Sequence, residues 1–160
     1  MLKSFEPLIN NESEILILGS MPGIKSLEAS EYYAHPQNRF WKIMGVICNY
    51  PDLEKKSYEI KTKTLLKNKI ALWDTVKNCT REGSLDSNIQ NIIPTNILAL
   101  LSKYPKIRKI CCNGAKSYSF FGKYSKNIPK DIEVIALPST SPANARYSFD
   151  KLLTEWKCIK

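Results

Sequence analysis

Four short stretches of this chain carry residue types able to do chemistry. The first is Gly19-Ser20-Met21-Pro22-Gly23, followed by Tyr32, Tyr33, the only histidine, His35, and the amide Asn38. The others are Asp74, the pair Asn113-Gly114, and the hydroxyl run Ser139-Thr140-Ser141 ahead of Pro142. A tyrosine in a non-periodic loop can stack on an unpaired base or anchor the loop on the core. His35 precedes Pro36, so its backbone is extended; it suits an acid, a phosphate donor or a hydrogen-bonded scaffold residue. Asn38 can cap a helix or hold a water through its amide oxygen. Asp74 can close a turn or accept from a donor on a bound base. Ser141 and Pro142 read as the N-cap and first residue of a helix whose free N–H groups could take a phosphate. Arg39, Lys25, Lys116 and Arg146 read as phosphate contacts or surface charges.

Elements that would position these groups are legible from the apolar pattern. Apolar runs at 15–18, 70–73, 107–112 and 132–137 predict four short strands, the first of them buried on both faces. Helical stretches are expected at 38–48, 56–68, from Pro94 to 101, 115–124 and 143–156. Residues 1–14 read as a lead-in, 19–37 as a long loop, and 75–93 as mostly loop. Strands alternating with helices predict an α/β fold, a three-layer α/β/α domain with a mostly parallel four-stranded sheet. In such a sheet the four stretches sit at strand carboxyl ends and converge on one crevice. Nothing marks a domain boundary, so residues 1–160 are expected to form a single domain.

The net charge of +9 points to a polyanionic partner, nucleic acid first and a membrane surface second. No apolar run approaches the roughly 20 residues of a membrane span, and no signal-peptide pattern is present, so a cytoplasmic location is expected. Five cysteines without a CxxC spacing predict reduced, buried thiols and no metal site. There is no P-loop, no GxGxxG after a strand and no GxSxG elbow. Nucleotide hydrolysis, dinucleotide redox chemistry and esterolysis are therefore disfavoured.

From residue 15 to residue 156 the chain resembles the uracil-DNA glycosylase superfamily, and within it the hypoxanthine-DNA glycosylase group. GSMPGIKSLEASEYYAHPQNRFW resembles the group's first motif, ALWDTVKNCTREGSLDSNI its middle segment, CNGAKS a third strand end, and LPSTSPANA the second conserved loop. Two departures stand out. Where better-known members carry a water-orienting Asp or Asn in the first loop, this chain has Met21; where uracil-specific members place a His, it has Leu137. A thioether cannot usefully polarise water. The resemblance therefore implies Asn38 as the catalytic group, and Asp74 where uracil-specific members place the Asn that reads the base. It further implies base contacts from Gly19, Ser20, Met21, Tyr33 and Asn113. DNA contacts are implied for Ser26 and His35 on one side, and for Ser139, Thr140, Ser141, Pro142 and Asn144 on the other.

The implied activity is that of a monofunctional DNA glycosylase, a hydrolase of N-glycosyl bonds in base excision repair. It would flip a deaminated base, hypoxanthine first, out of double-stranded DNA. No cofactor is expected, no lyase step, and a monomeric state. Competing readings are a uracil- or mismatch-specific glycosylase, a nucleic-acid-binding module without catalysis, and an enzyme acting on a free nucleoside.

Overall fold

A computed structural model describes residues 1–160. Four parallel strands form the central sheet: β2 (Ile15–Gly19), β3 (Ile70–Asp74), β6 (Lys109–Asn113) and β7 (Glu133–Leu137), in the order β3-β2-β6-β7. Side-chain alternation splits each strand between two cores. Ile17, Ile70, Leu72 and Cys111 face one core; Leu16, Leu18, Ala71, Ile110 and Cys112 face the other. The first core is completed by α2 (Phe40–Ile47), α3 (Tyr58–Lys67) and α6 (Phe149–Trp156), through Phe40, Trp41, Ile43, Met44, Leu65, Leu152 and Trp156. The second is completed by α4 (Ile97–Lys103) and α5 (Ala115–Tyr124), through Ile97, Leu100, Leu101 and Phe121. The three-layer α/β/α arrangement expected from the sequence is therefore present. Register pairs Gly19 with Asp74 and Asn113 with Leu137, so the strand ends stand level on one rim. No helix is long and apolar enough to cross a membrane.

The structure departs from the sequence reading in several places. Residues 75–93 hold two strands, β4 (Val76–Thr80) and β5 (Gln90–Pro94), which join β1 (Leu2–Lys3) in a second, antiparallel sheet. Irregular pairing around Asn78 leaves Val76 and Cys79 as the buried residues of β4, and that spacing hides the two-residue strand period. β5 is a mostly exposed edge strand, and Pro94 ends it instead of opening a helix. The cap of α4 is Asn96, whose Oδ1 accepts from Ala99 N at 3.0 Å. Residues 1–14 are more than a lead-in, since Leu8 also bridges Leu72 antiparallel at the outer side of β3. Residues 19–37 contain a short helix, α1 (Ile24–Ala29). The last helix begins at Phe149, capped by Ser148, so Ser141 and Pro142 lie in a turn and offer no helix N-terminus to a phosphate.

All five cysteines are free thiols. Burial pushes the Cys111 and Cys112 thiols up to about 12, so both remain protonated and inert at neutral pH.

Trp156 locks the last helix onto the site-bearing end of the sheet. It is fully buried, meets the Phe40 ring edge-on at 6.1 Å, and donates from Nε1 to Pro138 O at 2.9 Å. Trp156→Ala is expected to cost about 3–5 kcal/mol in urea denaturation, from the cavity and the orphaned carbonyl together. Trp156→Phe, which keeps most of the volume, is expected to cost less than half of that.

Candidate active site

The four strand ends open onto a crevice of about 960 Å³ lined by the Gly19–Gly23 turn, Tyr33, Asn38, Asp74, Asn113 and the loop from Pro138 to Asn144. Two glycines make its walls possible. Gly114 has φ +99°, and a Cβ there would meet Ser139 Cβ at 3.1 Å. At Gly19 a Cβ would stand 2.5 Å from Asp74 Oδ1 and 3.3 Å from Tyr33 Oη. Hydrogen in place of a side chain lets the carboxyl of the neighbouring strand lie over the turn.

Asn38 lies on the crevice wall just ahead of α2. Its Oδ1 accepts from Phe40 N at 2.9 Å and from Thr140 Oγ1 at 2.9 Å. Thr140 Oγ1 in turn accepts from Asn113 Nδ2 at 3.0 Å, and Thr140 N donates to Asn113 Oδ1 at 3.0 Å. The direction of this chain is fixed, because the Phe40 N–H can only meet an oxygen. Both lone pairs of Asn38 Oδ1 are therefore engaged, and the free end of the amide is its Nδ2 group. The sequence suggested that the amide oxygen could hold a water; in the structure that oxygen is engaged, and the NH2 is the end left open.

Several expected contact residues turn out to be internal braces. Thr140 is fully buried and Ser26 is 6% exposed, its Oγ accepting from Ala34 N at 3.0 Å. Both hydroxyls are engaged within the fold, Thr140 between Asn113 and Asn38 and Ser26 with Ala34, while both residues border the crevice. Arg39 is not a free charge either. Its guanidinium donates to Ser141 O at 2.8 Å, to Asn144 O at 3.1 Å, to Thr140 O at 3.4 Å and to Tyr147 O, clamping the second loop. Within that loop Ser139 Oγ accepts from Ser141 N at 3.1 Å, Ser141 Oγ from Ala143 N at 3.2 Å, and Asn144 Nδ2 donates to Ser139 O at 3.0 Å. Pro142 lies on the crevice wall in the same loop. His35 Nδ1 accepts from Gln37 N at 3.1 Å, which makes it a turn former facing the crevice. The Met21 side chain, 6% exposed, packs with Val76, Cys79, Ile89 and Phe120.

Three buried side-chain atoms are left without a partner: Tyr33 Oη, Asp74 Oδ2 and Arg81 Nη1. Tyr33 holds φ +55° and stacks on Phe40 with centroids 4.0 Å apart, while its Oη has no hydrogen-bond partner. A left-handed tyrosine costs about 1–3 kcal/mol, which the surrounding loop must offset. Tyr32, by contrast, is core: it is 5% exposed and donates to Glu6 O at 2.8 Å. Asp74 is 4% exposed and its Oδ2 has no partner. Burial, with a smaller push from the Asp86 charge and an opposing pull from Arg81, raises its carboxyl to about 7.

A further wall comes from the segment read as loop. Ser84 Oγ accepts from Ile24 N at 2.8 Å, and Ser20 Oγ donates to Asp86 Oδ1 at 2.5 Å. Arg81 donates to Pro22 O at 2.7 Å. The only sequence signal for this wall is the turn-rich run around Gly83, which does not say what it turns toward.

An aromatic platform beside a buried carboxyl and a half-buried amide, at the rim of a parallel sheet, defines a pocket for a planar hydrogen-bonding heterocycle. Comparison with known proteins identifies the class. Residues 6–159 match the uracil DNA glycosylase superfamily. A Methanosarcina acetivorans protein named hypoxanthine DNA glycosylase is 37% identical over 98% of this chain and 96% of its own length. Its namesake from Methanosarcina barkeri is 37% identical over 90% and 89%. A Methanosarcina acetivorans protein solved by solution NMR superposes with a TM-score of 0.82 at 34% identity, covering 98% of this chain and 97% of the other. The chain belongs to the uracil DNA glycosylase superfamily.

Gly19→Ala tests the close approach directly. The backbone there is ordinary strand, so the fold should survive with at most the loss of about 1–3 kcal/mol that overpacking brings, but the added methyl must displace the Asp74 carboxyl. Displacement by about 1 Å is expected to lower single-turnover base release by about 100-fold.

Proposed function

We propose that this protein is a monofunctional hypoxanthine-DNA glycosylase acting as a monomer on duplex DNA that contains a deaminated base. The observation that carries the reading is the partnerless Asp74 Oδ2 beside the Tyr33 platform, with the free amide of Asn38 on the same crevice wall. The relatives' names support it. Five free cysteines suit a reducing compartment, in keeping with action in the cytoplasm.

In this reading a basic face meets the phosphates, and the damaged nucleotide swings out of the stack into the crevice. The base lies on the Tyr33 ring. Its N1–H donates to Asp74 Oδ2, supplying the partner that oxygen lacks. Backbone groups of Gly19–Gly23 border its other edge. Asn38 Nδ2 donates to a water oxygen and leaves that water's second lone pair free to reach C1′. The C1′–N9 bond breaks with its electron pair going to the base, water oxygen bonds to C1′, and the water's proton passes to solvent or to the departing base. The developing sugar cation needs an oriented nucleophile more than a strong base, so a neutral amide suffices.

Two measurements test the roles. Against a panel of duplexes carrying hypoxanthine, uracil or xanthine, wild-type protein is expected to release hypoxanthine fastest; faster release of uracil would shift the assignment to a uracil-specific enzyme. Asn38→Ala should lose about 100-fold or more in single-turnover release while keeping most DNA affinity. Equal loss of binding and rate would remove the catalytic role of Asn38.

Asp74 gives a pH test with a defined sign. Ionised, it accepts from the hypoxanthine N1–H and repels the bare N1 of adenine; protonated, it can pair with either edge. Discrimination between hypoxanthine and adenine should therefore rise as pH increases through about 7. Asp74→Asn, an amide able to turn either way, should show low discrimination at every pH. The same substitution should stabilise the fold above pH 7. The folded state binds the Asp74 proton more tightly than the unfolded chain, so this group's contribution to stability falls between the unfolded and folded values. Unaltered selectivity in Asp74→Asn would rule the carboxyl out as the reader.

A further inference from the structure

The reaction above uses the Tyr33 ring but not its hydroxyl, which is buried and has no partner. A phenylalanine would give the same platform without the cost of an unpaired hydroxyl. The neighbouring tyrosines are handled differently. Tyr32 Oη donates to Glu6 O at 2.8 Å, and Tyr58 Oη accepts from Tyr32 N at 3.1 Å. Of these three hydroxyls only that of Tyr33 has no bond inside the fold, although its ring is held by the stack on Phe40.

The groups around this hydroxyl narrow its use. Asn113 faces it, but that amide is already paired with Thr140 through both Nδ2 and Oδ1. Asp86 is held by Ser20. Asp74 is different: its Oδ2 has no partner, and its Oδ1 stands 2.5 Å from the point a Gly19 Cβ would occupy. Tyr33 Oη stands 3.3 Å from the same point, so donor and acceptor flank one gap that glycine keeps open. Burial, with a smaller push from the Asp74 charge, raises the phenol well above its ordinary value. It therefore keeps its proton, and toward a carboxylate it can only donate.

We propose that Tyr33 Oη donates to Asp74 Oδ1 when a base occupies the crevice, which turns Oδ2 toward the N1–H and keeps the carboxyl an acceptor. This assignment rests on the base-excision reading given above. The base lies over the ring, so a hydroxyl in the ring plane passes beneath the base edge and meets the carboxyl beside it. Tyr33 is then a platform through its ring and a positioning residue through its hydroxyl, acting on the base only by way of Asp74. The other groups that bear on Asp74 are Tyr32, Asp86 and Arg81, and all three are kept in the variants below.

Tyr33→Phe keeps the ring and removes only the oxygen. Single-turnover hypoxanthine release from duplex DNA is expected to slow about tenfold, the worth of one hydrogen bond to a charged group. A donated hydrogen bond favours the ionised carboxyl, so without it Asp74 takes up its proton at higher pH. The pH at which hypoxanthine is first preferred over adenine should therefore move up by about one unit. The urea midpoint of the free protein should stay at or above that of wild type, since an unpaired hydroxyl has been removed. In an Asp74→Asn background, adding Tyr33→Phe should change the rate by less than about twofold, because the two groups act as one. Wild-type rate and selectivity in Tyr33→Phe, a slower rate with an unmoved pH profile, a full second loss in the double variant, or a lowered urea midpoint would each overturn the assignment. Wild-type protein inert on hypoxanthine duplexes would instead overturn the base-excision reading itself.

Discussion

Thr140 is the point on which the site depends. It is fully buried, its hydroxyl stands between Asn113 and Asn38, and its carbonyl accepts from Arg39 N at 3.1 Å. One residue thus couples the end of β6, the start of α2 and the loop after β7. Each of its polar atoms is satisfied, as burial requires. A half-satisfied network at this depth would cost more than an apolar one, so the unit is all or nothing. Arg39 completes it from the other side by spreading one guanidinium over the carbonyls of residues 140, 141, 144 and 147. A planar fork with five donors suits that task, and a lysine's single ammonium would not reach as many acceptors.

Against this saturated frame, the unsatisfied groups stand out. Tyr33 Oη and Asp74 Oδ2 are buried without partners. Tyr33 is also held in a left-handed conformation. The two lie together near Gly19, within the reach of a hypothetical Cβ there. A protein that pairs the polar atoms of Asn38, Asn113 and Thr140 but leaves these open, along with Arg81 Nη1, keeps destabilising groups where a ligand can satisfy them. Stability and recognition pull in opposite directions at this spot, and the neighbouring braces allow the fold to tolerate it.

The central sheet was legible because its strands are short aliphatic runs, and runs buried on both faces leave little ambiguity. The convergence of Gly19, Asp74, Asn113 and Ser139 on one rim followed from parallel order alone. What could not be read were elements defined by partners far away in sequence. β4 shows its strand character only when β1 and β5 lie beside it, and β5 is largely exposed. Buried Ser26 and Thr140 look like any loop hydroxyl until the fold closes over them. Arg39 reads as a surface cation because nothing in its own neighbourhood announces four carbonyls about a hundred residues away. Local pattern reports periodicity and turns, whereas the direction of a hydrogen bond is a tertiary fact.

The second sheet also accounts for the departure at Met21. Its thioether is packed with Val76, Cys79, Ile89 and Phe120, in the small core that joins the glycine turn to β4 and the segment ahead of β5. A carboxylate or carboxamide in that place would be buried among apolar neighbours and would demand partners the cluster lacks. The Met21 side chain is therefore held by packing, and it brings no useful hydrogen-bonding group to the crevice it borders. Asn38 also lines the crevice, with its amide oriented by Phe40 and Thr140. With Met21 packed in this small core, the turn holds the second sheet, and with it the Ser84–Asp86 rim, against the crevice.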